Sequence, residues 1–263
     1  MAHSAVMNIM VQAAIKAGRA LARDYGEVQN LQVSLKGPAD YVSQADRKSE
    51  KIILTELKKA RPKYSIITEE SEEIIGEDAQ HRFIIDPLDG TTNFLHGIPF
   101  FAVSIALESQ GQVVAGVIYN PVMDELFTAE RGRGAFLNDR RCRVAARRKL
   151  EDCVIATGIP HLGRSHHGHY LVELRNVMTE VAGIRRFGAA ALDLAYVAAG
   201  RVDGFWEDNL QIWDMAAGLL MIRESGGFAT DKEGGNDIFR KKNIIAGNEW
   251  IHVELRKTIQ KGI

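Results

Sequence analysis

Two cysteines in 263 residues, Cys142 and Cys153, form neither a CxxC pair nor a multi-cysteine framework. That excludes a disulfide scaffold, points to a reduced compartment and leaves each thiol as an ordinary half-buried residue. No stretch reaches the ~18 apolar residues that a membrane span needs. The N-terminus, MAHSAVMNIMVQAAIKAGRALARDYG, lacks the apolar core and small-residue cleavage site of a signal peptide. Its Val6, Ile9, Met10, Ala13, Ala14, Ala17 and Leu21 recur at helical intervals, and Lys16, Arg19 and Arg23 interrupt them. An amphipathic globular helix and a cytoplasmic location are the expectation. Excess charge of one sign is missing too: the formal net charge is -1, so nothing steers the whole molecule toward nucleic acid or an anionic membrane and any charge effect is local. Internal repeats, low-complexity segments and Pro/Gly/Ser linkers are also absent.

What remains is ordinary globular composition, 46% hydrophobic and 25% charged, with length for one large domain or two small ones. Periodicity predicts one helix to about residue 25 and a second over about 43–60, with Ile52, Ile53 and Leu57 inward and Arg61-Pro62 as its stop. Short apolar runs at 64–68, 82–85, 101–108, 113–119 and 126–129, separated by Gly, Pro and Asn, predict a largely hairpin-connected sheet. After about residue 150 strands and helices alternate: CVIATG, a helix near 166–181, IRRF, a helix near 189–199, VDGFW, a helix near 213–224, a strand near Ile244 and a last helix. The expectation is an N-terminal α+β half, 1–150, and a C-terminal α/β half, 151–263, packed as one compact unit.

The stretch IIDPLDGTTNF, 84–94, runs an apolar strand into Asp86, fixes the backbone at Pro87, and turns through Asp89-Gly90 into Thr91, Thr92 and Asn93 as a first helical turn. Two carboxylates then stand at a strand end beside backbone N–H groups that suit an anion. Acids and an anion share a site only with cations between them. A few hard oxygen ligands, with room for water and phosphate, describe Mg²⁺ better than Zn²⁺, which calls for His or Cys. An Asp-Gly turn is the plain alternative, and the ligand spacing of an EF-hand is absent. Two further stretches add acids: SIITEES ends a strand in Glu69-Glu70, and IWDMAAG places Asp214 at a helix start, where it also reads as an N-cap.

DPLDGTTN (86–93), WDMAAG (213–218) and EES (69–71) together resemble the signatures of the inositol monophosphatase family, the Mg²⁺-dependent, lithium-sensitive phosphatases. The likeness spans nearly the whole chain, and RRFGAAALDLAYVAAGRVDGFWE looks most like the bacterial inositol-1-monophosphatase branch. It implies a five-layer αβαβα sandwich of the sugar-phosphatase type shared with fructose-1,6-bisphosphatase, and a homodimer. It implies that Glu69, Asp86, the Leu88 carbonyl, Asp89 and Asp214 hold two or three Mg²⁺, and that Gly90 and Thr91 N–H groups hold phosphate, with Thr92 beside them. Glu69 and Thr91, the latter hydrogen-bonded to Asp46, would orient and deprotonate the attacking water. Without the resemblance Asp46, in YVSQADRKSE, reads as an exposed acid of a helix's first turn. Glu207 matches a position that bonds a sugar hydroxyl, and Gly188, Ala189 and Ala190 match the substrate-side helix start, where Ala189 replaces a hydroxyl found in other members.

Phosphate monoesters are among the slowest bonds to hydrolyse, with accelerations up to ~10²¹-fold, so neutralising charge dominates the expected mechanism. Inositol 1-phosphate is the expected substrate; fructose 1,6-bisphosphate, 3'-phosphoadenosine 5'-phosphate, NADP and histidinol phosphate belong to related enzymes sharing the metal motifs. A haloacid-dehalogenase reading needs Asp-x-Asp, and Pro87 and Leu88 both intervene here. Two other clusters stand out. His161, His166, His167 and His169 read as exposed polar surface at a helix start. Arg131, Arg133, Arg140, Arg141, Arg143, Arg147, Arg148 and Lys149 read either as a solvated hairpin or, through Arg140, Arg141 and Arg143, as a contact for RNA or RNA polymerase, for which the resembling branch offers a precedent in antitermination complexes.

Overall fold

The computed structural model of the chain describes residues 3–31, 38–160 and 167–262. Helices α1 (Ala5–Leu31) and α2 (Pro38–Ala60) open it. Then come β1 (Tyr64–Thr68), β2 (Asp78–Asp89), α3 (Thr91–Leu95), β3 (Ala102–Ser109), β4 (Gln112–Asn120), β5 (Glu125–Glu130), β6 (Gly134–Leu137) and β7 (Arg140–Arg141). The rest alternates: β8 (Val154–Thr157), α4 (His167–Met178), β9 (Gly183–Arg185), α5 (Ala190–Ala198), β10 (Gly204–Asp208), α6 (Ile212–Glu224), β11 (Phe228–Thr230), α7 (Ile238–Lys241), β12 (Asn243–Gly247) and α8 (Glu249–Ile259).

The first seven strands form one sheet in sequence order, antiparallel throughout except for the parallel β1–β2 pair. The second sheet runs β11-β12-β10-β8-β9, with β8 parallel to both neighbours. Each strand sorts its side chains by the two-residue period of the pleat. Phe83 and Ile85 of β2, and Val103, Ile105 and Leu107 of β3, pack against α1 and α2, while Ile84, Ala102 and Ala106 face α5 and α6. In the second sheet Phe205, Ile244 and Ala246 also face α5 and α6, whereas Trp206, Ile155 and Ile245 face α4 and α8. The layers are therefore α1/α2, sheet, α5/α6, sheet, α4/α8, which bears out the αβαβα sandwich.

Several bounds differ from expectation. The first helix runs past Tyr25 because Gly26 is an interior glycine with open space around it, not a C-cap; such a glycine costs about 1 kcal/mol against Ala but does not stop a helix. The second begins at Pro38, in the first turn, where the missing N–H has no partner to lose. β11 and α7 span three and four residues, too short for periodicity to reveal. Cys142 and Cys153 are fully buried and unpaired, and burial pushes the Cys153 thiol up to about 12. Among the described residues no helix is long and apolar enough to cross a membrane.

The middle layer is held by close backbone approach. A Cβ on Gly116 of β4 would lie 3.1 Å from Ala217 Cα, and one on Gly218 would lie 2.5 Å from Leu194 Cβ. Helix α6 is thus wedged between β4 and α5 with no room for a branched side chain. Gly218→Val should destabilise the fold by about 1–3 kcal/mol through overpacking, read by denaturant unfolding; an unchanged midpoint would show that α6 has slack.

Candidate active site

Asp86 and Asp89 are three residues apart, a spacing that on a regular strand would send them to opposite faces. The ladder to β3 corrects this: Asp86 pairs with Ser104 and Asp89 with Ala102, so three steps on β2 oppose two on β3. This one-residue bulge turns both carboxylates toward α5 and α6, and a bulge also tolerates Pro87. Helix α2 pins the bulge through Ser49 Oγ, which donates to Pro87 O at 2.7 Å. Parallel pairing of Thr68 with Ile85 brings Glu69, just beyond β1, level with Asp86.

Each acid is oriented through one oxygen by a backbone N–H. Leu88 N donates to Asp86 Oδ1 (3.0 Å), Ala191 N of α5 to Asp89 Oδ2 (2.8 Å), and Gln211 N to Asp214 Oδ2 (2.7 Å). Asp214 is accordingly not the N-cap of α6. Gln211 is, and Asp214 is the third helical residue of a capping box. Carboxylate oxygens of Asp86, Asp89 and Asp214 all lie within 4.8 Å of one another. Burial, then the charges of Glu69, Asp89 and Asp214, push the Asp86 carboxyl far above the ordinary range; burial and Asp214 do the same to Asp89. Converging hard oxygen donors whose charges oppose one another fit a divalent cation of the Mg²⁺ type.

A cavity of about 210 Å³ opens over this cluster. Glu69, Asp86, Leu88, Asp89 and Asp214 line it, with Gly90, Thr91 and Thr92 at the turn and Gly188, Ala190 and Glu207 from the second half. Gly90, at φ 90°, is the left-handed residue that turns β2 into α3. Asn93 ties the two halves together at this point, its Nδ2 donating to Phe100 O and Phe187 O, both at 2.7 Å.

Two residues sit differently from expectation. Ala189 is 1% exposed and lies outside the cavity lining, because as N-cap of α5 it packs its methyl against Gly90. Asp46 is buried beside the cluster, with its carboxyl pushed up to about 8 by burial and then by Glu70, Glu69 and Glu50. The hydrogen bond expected between Thr91 and Asp46 is not among those of the described residues. Thr91 Oγ1 donates instead to Leu88 O at 3.1 Å, a carbonyl three residues back that a first-turn hydroxyl reaches easily. Sequence reasoning missed Gly158, Ile159, Arg186 and Leu210, which also line the cavity; the strand ends CVIATG and IRRF were the available signal. Of the histidine cluster, His161 and His166 lie outside the described residues, His167 is exposed, and His169 pairs with Glu173 at 3.3 Å.

Comparison with known proteins agrees with this geometry. The model described as the inositol monophosphatase family matches residues 2–262. An inositol-1-monophosphatase of Mesorhizobium japonicum is 69% identical over 261 residues, 99% of this chain and 98% of that protein. The crystal structure of an extragenic suppressor protein suhB from Bartonella henselae is 82% identical, superposes with a TM-score of 0.93, and covers 99% of this chain and 100% of its own. A Nus factor SuhB of Escherichia coli is 46% identical over 243 residues, 92% of this chain and 91% of that one.

In the folded chain burial and neighbouring acids raise the carboxyls of Asp46, Asp86 and Asp89 above the ~4 of the unfolded chain. Stability without metal therefore falls as pH climbs from about 4 through the folded value of about 8, and melting should be lower at about pH 8 than at about pH 5. Mg²⁺ should raise the melting temperature more at the higher pH. A Mg²⁺ effect no larger there would remove the cluster as a cation site.

Proposed function

We propose the following reaction for this chain, which belongs to the inositol monophosphatase family: Mg²⁺-dependent hydrolysis of inositol 1-phosphate, or a similar small polyol phosphate, to the free alcohol and phosphate. The observation that carries it is the convergence of buried Asp86 and Asp89 with partly buried Asp214 beneath a cavity whose other wall carries Glu207 for a hydroxyl group. The name inositol-1-monophosphatase of relatives at 69% and 68% identity supports the substrate. Asp86, Asp89, Asp214, Glu69 and the Leu88 carbonyl would hold the metal. Two or three Mg²⁺, when bound, supply positive charge to the phosphate and its departing oxygen and make water a stronger acid.

The chain's own groups do the rest. Backbone N–H groups of Gly90 and Thr91 hold two phosphate oxygens, with Thr92 beside them, as free N–H groups at a helix start suit an anion. Glu69 accepts a proton from the attacking water, and Thr91 orients that water. Asp46 would be a second acceptor for the Thr91 hydroxyl, beside the Leu88 carbonyl that it meets in this structure. The water oxygen bonds to phosphorus, the bond from phosphorus to the alcohol oxygen breaks with its electron pair leaving on that oxygen, and a proton completes the alcohol. Glu207, Gly188 and Ala190 border the polyol, and the working assembly is a homodimer in the cytoplasm.

Asp214→Asn keeps an oxygen for the Gln211 N–H, so the fold should survive. Mg²⁺-dependent release of phosphate from inositol 1-phosphate should fall by roughly 10²–10³-fold or more, the scale of losing one group that stabilises developing charge. Release equal to wild type would refute the metal assignment, and a panel of the related phosphate esters tests the substrate.

The Nus factor SuhB name at 46% identity favours a second, compatible reading, association with RNA or RNA polymerase. Arg140 and Arg141 form the exposed edge strand β7, and Arg143 is exposed just after it. Neutralising all three should weaken salt-dependent binding while leaving hydrolysis intact; binding that survives the change rules out this surface.

A further inference from the structure

A second cavity, of about 290 Å³, opens on the outer face of the second sheet. Glu207 and Asp208 are consecutive on β10, and the pleat sends them to opposite faces, so Glu207 lines the cavity over the acids and Asp208 lines the outer one. Helix α4 adds His169 to the outer cavity, and the chain between β11 and β12 adds Lys232, Glu233 and Lys241. A space of about 10 Å³, room for one water, shares Gly158 and Glu207 with the first cavity and Tyr170 and Asp208 with the second. The outer cavity is therefore a place of its own rather than an extension of the first.

Its walls are charges bonded to one another. Lys232, 11% exposed, bridges Asp208 and Glu173 of α4; Glu173 is fully buried and also accepts from Trp206 Nε1 at 3.2 Å. Lys241 bridges buried Asp231 at 3.0 Å and exposed Glu233 at 2.8 Å. An ammonium has three donors and a carboxylate two accepting oxygens. Among the described residues each lysine thus keeps a donor to spare, and Asp208 and Glu233, which each meet a lysine through one oxygen, keep the other oxygen.

That pairing selects the ligand. An anion would meet Asp208 and Glu233, with Glu173 and Asp231 behind the lysines. A cation would compete with an ammonium for each acid. Either would give up its water for a wall whose charges are already matched. A hydroxyl both donates and accepts, so it can take the spare donor of a lysine and give its own proton to the spare oxygen of that lysine's acid. Lys232 with Asp208, and Lys241 with Glu233, are two such couples around one cavity, and hydrogen bonds to charged groups are the strong ones.

We propose that the outer cavity is a binding site for a neutral polyhydroxylated molecule, a polyol or a sugar that carries no phosphate. The site does not depend on the reaction at the first cavity, and none of its charged residues lines that cavity.

Ligand-observed NMR titrations of the full chain test it, with myo-inositol, sorbitol and glucose as probes and inorganic phosphate and methylammonium as charged comparators, all without Mg²⁺. At least one of the polyols should bind saturably and more tightly than either comparator. Asp208→Asn combined with Glu233→Gln keeps an oxygen for each lysine and should weaken that polyol by ~10-fold or more, the scale of two charged hydrogen bonds made neutral, whereas Glu207→Gln in the first cavity should change it by no more than about twofold. His169→Trp, at an exposed position that touches neither lysine, should fill the outer cavity and abolish the binding. An unfolding midpoint for each variant separates lost binding from lost fold. No saturable binding of any polyol, tighter binding of phosphate or methylammonium, or a polyol that leaves with Glu207→Gln and stays with the outer variants would each overturn the proposal.

Discussion

The mutual repulsion of Asp86, Asp89 and Asp214 is the constraint around which the rest of the molecule is arranged. Their oxygens lie within 4.8 Å of one another in a place where two of the three are buried. Like charges so close in low dielectric cannot all ionise without cations. A metal-free fold must therefore keep protons there or keep the acids apart, and this one does not keep them apart. Ser49 bonds to Pro87, Ala191 to Asp89 and Gln211 to Asp214, so elements from across the chain hold the acids in place. The arrangement gives up metal-free stability in exchange for a prepared set of cation donors.

That arrangement explains why the middle layer is packed so tightly. Asp86 and Asp89 come from the first sheet, Asp214 from α6 and the Ala191 N–H from α5, and both helices lie between the two sheets. The distance between the acids is therefore set by how closely α6 approaches β4 and α5. Gly116, Ala217 and Gly218 make that approach as short as backbones allow. The glycine of WDMAAG has a packing role four residues along the helix from the acid it positions, one turn away.

Much of this was legible in the sequence, for identifiable reasons. The layered alternation after residue 150 and the strand-to-turn passage of IIDPLDGTTNF depend on local periodicity and turn chemistry, which a sequence displays. The bulge was not legible. DPLD shows two acids three apart, and only the pairing with Ser104 and Ala102 shows that they face the same way. Asp214 read as an N-cap because Gln211, three residues earlier, is a rare choice for that position. Asp46 entered only through family resemblance, since its burial arises from tertiary packing. Gly158 and Arg186 stand in the strand ends CVIATG and IRRF, whose periodicity does not show that they join the site; they do so because β8 and β9 end beside it.

The geometry of the first sheet also bears on how one fold serves relatives with such different names. Asp86 and Asp89 sit on β2, one strand in from an edge of the first sheet, and Arg140 and Arg141 form β7 at its other edge, five strand positions away. At about 4.8 Å per strand this places them roughly 24 Å apart along the sheet. A partner engaging the β7 edge would meet unpaired backbone groups and guanidinium charges, the ingredients of an adhesive edge, without crossing the cavity. Neither Arg140 nor Arg141 lines the cavity, whose second-half side is built on Gly158, Gly188 and α5. A change at the β7 edge thus reaches the acids of β2 only through the four intervening strands, β3 to β6, of shared core.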